Sequence, residues 1–467
     1  MAVKVYGGQG LGYRDMVAAV VAGLEHGLAA VNPGRLVKKS VRKKGAQLYV
    51  DGKAFDLRRY DDFVVLAAGK AAAPMAAALL TLLGELSVRG VVVVPRGASV
   101  KQSLKPLELL YSSHPTPDMN SVKAAEKMLT HAQECGRKSL AFMLVSGGCS
   151  ALAALPAKGV TLEDKIEVTS ALLRAGASID ELNTVRKHLS AFKGGWLAKK
   201  TPCPIISLIL SDVVGDRVDV IGSGPTAPDP TTYEQALNVL RNRHVEATEN
   251  VLKRLEKGAA GLYPETPKPS DPCFKRVTNI VVGGNVDAVK AAAKKMRQQG
   301  YRTIALTSRL TGEARDAAKF LSAIAMDITY RGIPVKPPAA IVMGGETTVT
   351  VKGSGLGGRN MELVLAASVL LRDLDRFVLA SLGTDGVDGP TDAAGAVCTP
   401  KTYRKALVMG LKPEDFLENN DSYSFFSKVG GLIKTGPTAT NVGDLTIICV
   451  SRRYRPKRIA PDSCKCM

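Results

Sequence analysis

Short runs of β-branched and other apolar residues recur along the first half of the chain: VVLAA from Val64, GVVVV from Gly90, SLAFMLVS from Ser139 and PIISLILS from Pro204. Runs with no polar alternation belong to strands covered on both faces, so this pattern predicts βα units feeding a parallel sheet. Between them, Met119 to Cys135 and Leu162 to Ala175 carry the apolar spacing of surface helices. After Ala247 the pattern changes. GLYPETPKPSDPCF, residues 261–274, is rich in Pro and has no periodicity, which marks a linker. A second series follows: TNIVVGG from Thr278, RTIALTS from Arg302, AAIVMGG from Ala339, TTVTVKG from Thr347, RFVLASLG from Arg376 and LTIICV from Leu445. TTVTV follows IVMGGE with no room for a crossover helix, so that pair is expected to be antiparallel and the second sheet mixed. The expected fold class is α/β with two domains. Residues 1–258 form the first, 259–274 the linker, 275–450 a mixed-sheet domain and 451–467 a basic tail.

Composition narrows the function. The length, 467 residues, is about three times that of a typical single domain, and 45% hydrophobic against 23% charged residues excludes a disordered chain. The 63 Lys and Arg against 43 Asp and Glu give a net charge of +20, which favours anionic partners. Aromatics are only 5%, too sparse for the stacking platforms of single-strand binders, so nucleic acid is not expected as the partner. The basic run Arg35 to Lys44 reads as a solvated face. The 8 Cys include no CxxC pair, which argues for reduced thiols and against structural zinc. MAVKVYGGQGLGYRD has no apolar core of a signal peptide, and the uncharged stretch Ser139 to Ala157 is broken by Ser146-Gly147-Gly148. A cytoplasmic protein without membrane insertion is expected, with a mitochondrial location as the alternative.

Candidate chemistry gathers where strands run into glycine turns and helices. In VVLAAGKAAAP, Gly69-Lys70 sets an ammonium at a helix start, where free N–H groups favour anions. It is not a Walker A loop, since Val64 stands where its first Gly would be and Ala71 follows Lys70. Ser146-Gly147-Gly148-Cys149-Ser150 repeats the grammar, its two Gly allowing close backbone approach to a ligand. Cys149 has no partner His nearby in sequence and reads as a small buried residue. After the buried strand ISLIL come Asp212, Asp216 and Asp219. Asp212, first past the strand, is the candidate general base or metal ligand, the other two turn and capping residues. His114 sits before Pro115 in a turn. Arg186, Lys187, His188 and Lys193 share a basic helix region suited to an anion, with no GxSxG elbow to make a nucleophilic triad.

In the second half, Gly353, Gly355 and Gly358 make a formal dinucleotide fingerprint, but Asp373 and Asp375 precede the next strand instead of ending it, which speaks against NAD. Arg359 at the following helix start suits a phosphate clamp. Asp385, Asp388 and Asp392 lie in a Gly-rich loop suited to Mg²⁺ or to substrate hydroxyls. Thr438, Thr440, Asn441 and Asp444 precede the last strand as polar contacts or caps.

The strings VVLAAGKAA, HPTPD, SGGCSAL, NTVRKHLSAFKGG, LSDVVGD, SGPTAPDPTT, GGETTVTV, GGRNMELVLA, GTDGVDGPTDAAGA and TGPTATNVGDL, in this order, resemble the class II glycerate kinases. The C-terminal half of that family is called the MOFRL domain. The resemblance implies a Rossmann-like first domain and an active site in the cleft between two α/β domains. It implies ATP- and Mg²⁺-dependent phosphorylation of D-glycerate at its 2-hydroxyl, with a homodimer left open. Carried over by motif, the catalytic residues are Lys70, Asp212 and Arg359. The substrate and phosphate contacts are Ser146, Gly147, Gly148, Ser150, Arg186, Lys187, Lys193, Gly355, Gly358, Asp385, Asp388, Thr440 and Asn441, with Asp212 and Asp385 as metal ligands. The sequence departs from the family at Trp196, Ala439 and Gly443. The competing activity is a hydroxypyruvate reductase. Cys464-Lys465-Cys466-Met467 has the spacing of a prenylation box, but Lys465 is not aliphatic, and an exposed charged tail is the expectation.

Overall fold

Six apolar segments pair side by side in the order Val277–Gly283, Ile205–Leu210, Ser139–Val145, Asp62–Ala68, Val88–Pro95 and Glu108–Ser112. This is a computed structural model, and it describes residues 2–11 and 13–451; the Cys464 box lies outside the described residues. Every pairing in this sheet is parallel. Numbered along the chain the strands lie 3-2-1-4-5-6, the doubly wound order, and the direction of winding reverses between Asp62–Ala68 and Ser139–Val145. Ser139–Val145 is buried at every position and Asp62–Ala68 at all but its first, as the continuous apolar runs require. Ile209, Val64, Met143 and Val91 enter one cluster with Ala124, Met128 and Leu129 of the helix Met119–Gln133.

Helix starts in this unit carry their own caps. Asp118 and Ser121, Thr161 and Asp164, Ser178 and Glu181, and Thr232 and Gln235 form capping boxes, each satisfying two N–H groups that a helix leaves open. The helix Ala72–Leu83 has no side-chain cap of its own. A small antiparallel sheet, Val41–Lys44, Gln47–Val50 and Lys53–Asp56, exposes Arg42, Lys43 and Lys44.

A second sheet of seven strands runs Lys4–Tyr6, Leu432–Lys434, Gly395–Cys398, Phe377–Gly383, Asp444–Val450, Ala339–Gly345 and Arg302–Leu310. It is mixed: only the pair Arg302–Leu310 and Ala339–Gly345 is parallel. The antiparallel neighbour of Ala339–Gly345 is Asp444–Val450, not the TTVTV segment expected. Residues 347–351 form no strand. Thr348 instead bonds through its backbone to Gly312 and Ala314, and Thr350 to Glu313, which fixes the segment outside the ladder. The helices Ala314–Tyr330 and Arg359–Leu370 pack on the sheet through Leu321, Ala325, Leu363 and Ala367.

The chain divides into two compact units, 29–287 with 438–443, and 1–28 with 288–437 and 444–467. The strand Val277–Gly283, read from sequence with the second series, closes the parallel sheet beside Ile205–Leu210. Among the described residues no single helix is long and apolar enough to cross a membrane.

Candidate active site

Where a doubly wound sheet reverses, loops leave the strand ends in opposite directions and open a crevice. Here the two strands that flank the reversal end in Gly69-Lys70 and in Ser146 to Ser150. Gly69 has φ of +138°, and a Cβ there would stand 2.1 Å from Ser146 Oγ, so only glycine fits. The two loops lock together: Lys70 donates its backbone N–H to Gly147 O at 2.8 Å, and Ala71 donates to Ser146 Oγ at 3.0 Å. Ser146 thereby supplies the cap that the helix Ala72–Leu83 lacks.

Asp212, just past Ile205–Leu210, reaches the same loop. A Cβ on Gly147 would lie 2.2 Å from Asp212 Oδ2 and 2.6 Å from Asn441 Nδ2. Asn441 donates to Asp212 Oδ2 at 3.2 Å, and neighbouring Thr440 is anchored by donating to Val31 O at 2.8 Å. Gly147 is therefore glycine because two polar side chains converge on it. Gly148, at φ +89°, packs under the His114 ring, whose Cδ2 would be 3.0 Å from a Cβ there. His114 belongs to the loop's surroundings, a place that its turn-forming sequence context hides.

On the far side of the loop, Ser150 Oγ and Ser223 Oγ are 2.7 Å apart, and Ser223 donates to Asn183 Oδ1 at 2.8 Å. Neither Asn183 nor Ser223 receives a role from the sequence; Asn183 stands one helical turn before Arg186 in NTVRKH. Burial pushes the Cys149 thiol up to about 12, which keeps it protonated and inert as expected.

The basic residues of this region divide. Lys187 is buried between Asp229 at 3.4 Å and Asp219 at 3.6 Å, so its charge is already met. Lys193 is buried with its ammonium on Ala153 O at 2.9 Å; burial, helped by the charge of Arg186, brings it down to about 7. His188 is structural. Its ring packs edge-on against Tyr233 and bonds Thr184 O and Glu265. Burial works to raise Glu265, but His188 and the Tyr233 N–H outweigh it and hold Glu265 at about 2.

In the other unit the glycine-rich loop 353–358 has a packing explanation. Cβ atoms at Gly353 and Gly355 would come within 2.4 Å of the 419–421 segment, and one at Gly358 within 2.4 Å of Asp388. Gly355 donates its N–H to Asn419 O. With no strand before it, the loop lacks the context of a dinucleotide fingerprint. Arg359 follows as the first residue of its helix, its Nε and Nη2 on the two oxygens of Asp444 at 2.7 and 2.9 Å and its Nη1 on Glu346 at 2.7 Å. Burial opposes its charge, but Asp444 and Glu346 raise the guanidinium above its ordinary value. Asp388 accepts the N–H groups of Asn360 and Met361 and so caps this helix; burial pushes it up to about 7. Asp385 accepts from Val387 N in the same loop, and Asp392 holds Tyr423 and Lys434.

Thus Lys70, the 146–150 loop, Asp212 and Asn441 meet in one unit, while Arg359, Asp388, Asp444 and Glu346 meet in the other. Comparison with known proteins bears on both. Residues 19–256 match a family described as a domain of unknown function, DUF4147, and residues 339–444 match the MOFRL family. A D-glycerate 2-kinase of Thermotoga maritima is 41% identical over 90% of this chain and 95% of its own length. A glycerate 2-kinase of Pyrococcus horikoshii is 40% identical over 92% and 96%. The crystal structure of a glycerate kinase from Thermotoga maritima superposes with a TM-score of 0.80 at 38% identity, covering 94% of this chain and 99% of that one.

Proposed function

The chain belongs to the glycerate 2-kinase family, and from that membership we propose that it transfers the terminal phosphoryl group of ATP to the 2-hydroxyl of D-glycerate, giving 2-phosphoglycerate and ADP. It is a phosphotransferase. The observation that carries the catalytic reading is the locking of Lys70 onto Gly147 at the reversal of the parallel sheet, with Asp212 against the same glycine.

In this reading the acceptor lies at the 146–150 loop, and Asp212 orients its 2-hydroxyl and takes the proton as the oxygen attacks. Lys70, at a helix start, neutralises charge on the transferring phosphoryl group, and the family motif offers Arg359 as a further phosphate-binding cation. Thr440 and Asn441 hold Asp212 in place. Asp388 acts through the helix that carries Arg359, and Gly355 and Gly358 let the loop before it pack closely.

Mg²⁺ fits as an ion carried by the nucleotide. Among the described residues no three His, Cys, Asp or Glu side chains are grouped to hold a metal, whereas Mg²⁺ on phosphates asks for one or two carboxylates. Asp212 and Asp385 are the carboxylates that would serve. When bound, the ion offsets charge on the phosphate oxygens. A cytoplasmic location belongs to the same reading.

A hydroxypyruvate reductase is disfavoured by the packing role of the 353–358 glycines. The test is parallel incubation with D-glycerate, ATP and Mg²⁺, and with hydroxypyruvate and NADH or NADPH. ADP release that depends on D-glycerate supports the kinase; nicotinamide oxidation without ADP release replaces it.

A further inference from the structure

Three cations meet near the 146–150 loop with no carboxylate among the described residues to balance them. Lys165 is buried, its ammonium on Leu189 O at 2.9 Å and near Arg186 O. Lys193 is 2% exposed, and among the described residues its side chain bonds only the Ala153 carbonyl. The half-buried Arg186 guanidinium makes no hydrogen bond or ion pair with any described residue. Each lysine is destabilised by burial and by the charge of its neighbours, and among the described residues no Asp or Glu offsets any of the three. Lys187, next in sequence to Arg186, shows the contrast, with two aspartates of its own.

Leaving buried cations uncompensated is costly, and proteins pair them unless a ligand supplies the missing charge. A second observation points the same way. Asn183 is 3% exposed and its Nδ2 has no hydrogen-bond partner among the described residues, while its Oδ1 is fixed by Ser223 and, through it, Ser150 of the loop. Asn183 and Arg186 are three apart on the helix Ile179–His188 and so share a face. Lys193 acts electrostatically on Cys149 of the loop, as does Asp212, so the cluster and the proposed base both act on the same loop residue.

We propose that Arg186, Lys193 and the Nδ2 of Asn183 form the subsite for the acceptor's carboxylate, making the enzyme selective for 2-hydroxy acids over uncharged polyols and amides of the same size. The inference rests on the reading of the 146–150 loop as the acceptor site. A carboxylate matches a planar guanidinium in bidentate fashion and brings one negative charge. A polyphosphate would bring three or four charges to a cluster whose two lysines are buried.

The test is calorimetric titration of the full chain, without nucleotide, by D-glycerate, by glyceramide and by glycerol, and separately by ATP. Wild-type protein should bind D-glycerate at least about 30-fold more tightly than glyceramide or glycerol, the loss expected when a charge-assisted hydrogen bond goes unmade. Arg186→Gln should remove that preference and leave ATP binding within about twofold. Asn183→Ser, which keeps a polar group of smaller reach, should weaken D-glycerate alone. Equal binding of glyceramide by the wild type would overturn the proposal without using any variant. Loss of ATP rather than D-glycerate binding in Arg186→Gln would reassign the cluster to nucleotide phosphates. The two readings fail separately: carboxylate-selective binding with no phosphorylated product removes the kinase assignment only, and normal turnover with equal use of glyceramide removes the subsite only.

Discussion

Asp444 takes two N–H groups of Arg359, one on each carboxylate oxygen, and is itself almost fully buried. The guanidinium is thus aimed by a carboxylate 85 residues away in sequence, with Asn360 Nδ2 and the Thr347 N–H completing the set around Asp444. Substituting Asp444→Asn removes one of the two carboxylates on Arg359 and leaves the guanidinium to Glu346 alone. The expected outcome is a loss of about 2 kcal/mol in urea unfolding and a fall in kcat with the KM for D-glycerate little changed, since the role proposed for Arg359 is on the phosphoryl group.

Gly69→Ala should be far more damaging than a left-handed glycine replaced in open space. Gly45, at φ +56°, has nothing within 4 Å of its Cβ position, so Gly45→Ala carries backbone strain alone, about 1 kcal/mol. Gly69→Ala adds a clash with Ser146 Oγ and with the Ser146 carbonyl. It should unlock the two loops and abolish turnover even where the chain still folds, as circular dichroism and a turnover assay on both variants would show.

Replacing Asp212→Asn keeps an oxygen for Asn441 to donate to but removes the proposed base. Turnover should fall by about 2 to 4 orders of magnitude while the thermal midpoint moves little. Near-normal turnover would take Asp212 out of the base role.

Lys193 gives a pH dependence of known sign. Its folded value of about 7 lies below that of an exposed lysine, so between about 7 and 10 the unfolded chain binds the extra proton and this residue's contribution to stability rises with pH. In denaturation of the ligand-free protein, the wild type should gain on Lys193→Met from pH 7 to 8.5. D-Glycerate affinity should move the opposite way, falling as the ammonium is lost above pH 7, and Lys193→Met should flatten that dependence.

Legibility in the sequence followed how local each feature is. Gly69-Lys70 and the 146–150 loop stand out because a buried parallel strand is a continuous apolar run that ends abruptly. Lateral strand order is not written locally. Val277–Gly283 follows a Pro-rich stretch that looks like a linker, yet Thr266 of that stretch is buried and donates to Asp229, and the strand joins the first sheet. TTVTV has the alternation of a strand but is held by Gly312, Glu313 and Ala314. The Arg359–Asp444 pair, the Asn183–Ser223–Ser150 line and the contrast between Arg186 and Lys187 all depend on partners far apart in sequence. Residue type alone put Arg186, Lys187 and Lys193 together, and only burial and pairing separate them.

The most direct measurement is phosphorus NMR of the product formed from D-glycerate, ATP and Mg²⁺ by the wild type and by Lys70→Ala. The account predicts a 2-phosphoglycerate signal with the wild type and none above background with the variant. A 3-phosphoglycerate signal, no phosphorylated product, or undiminished product from Lys70→Ala would contradict it.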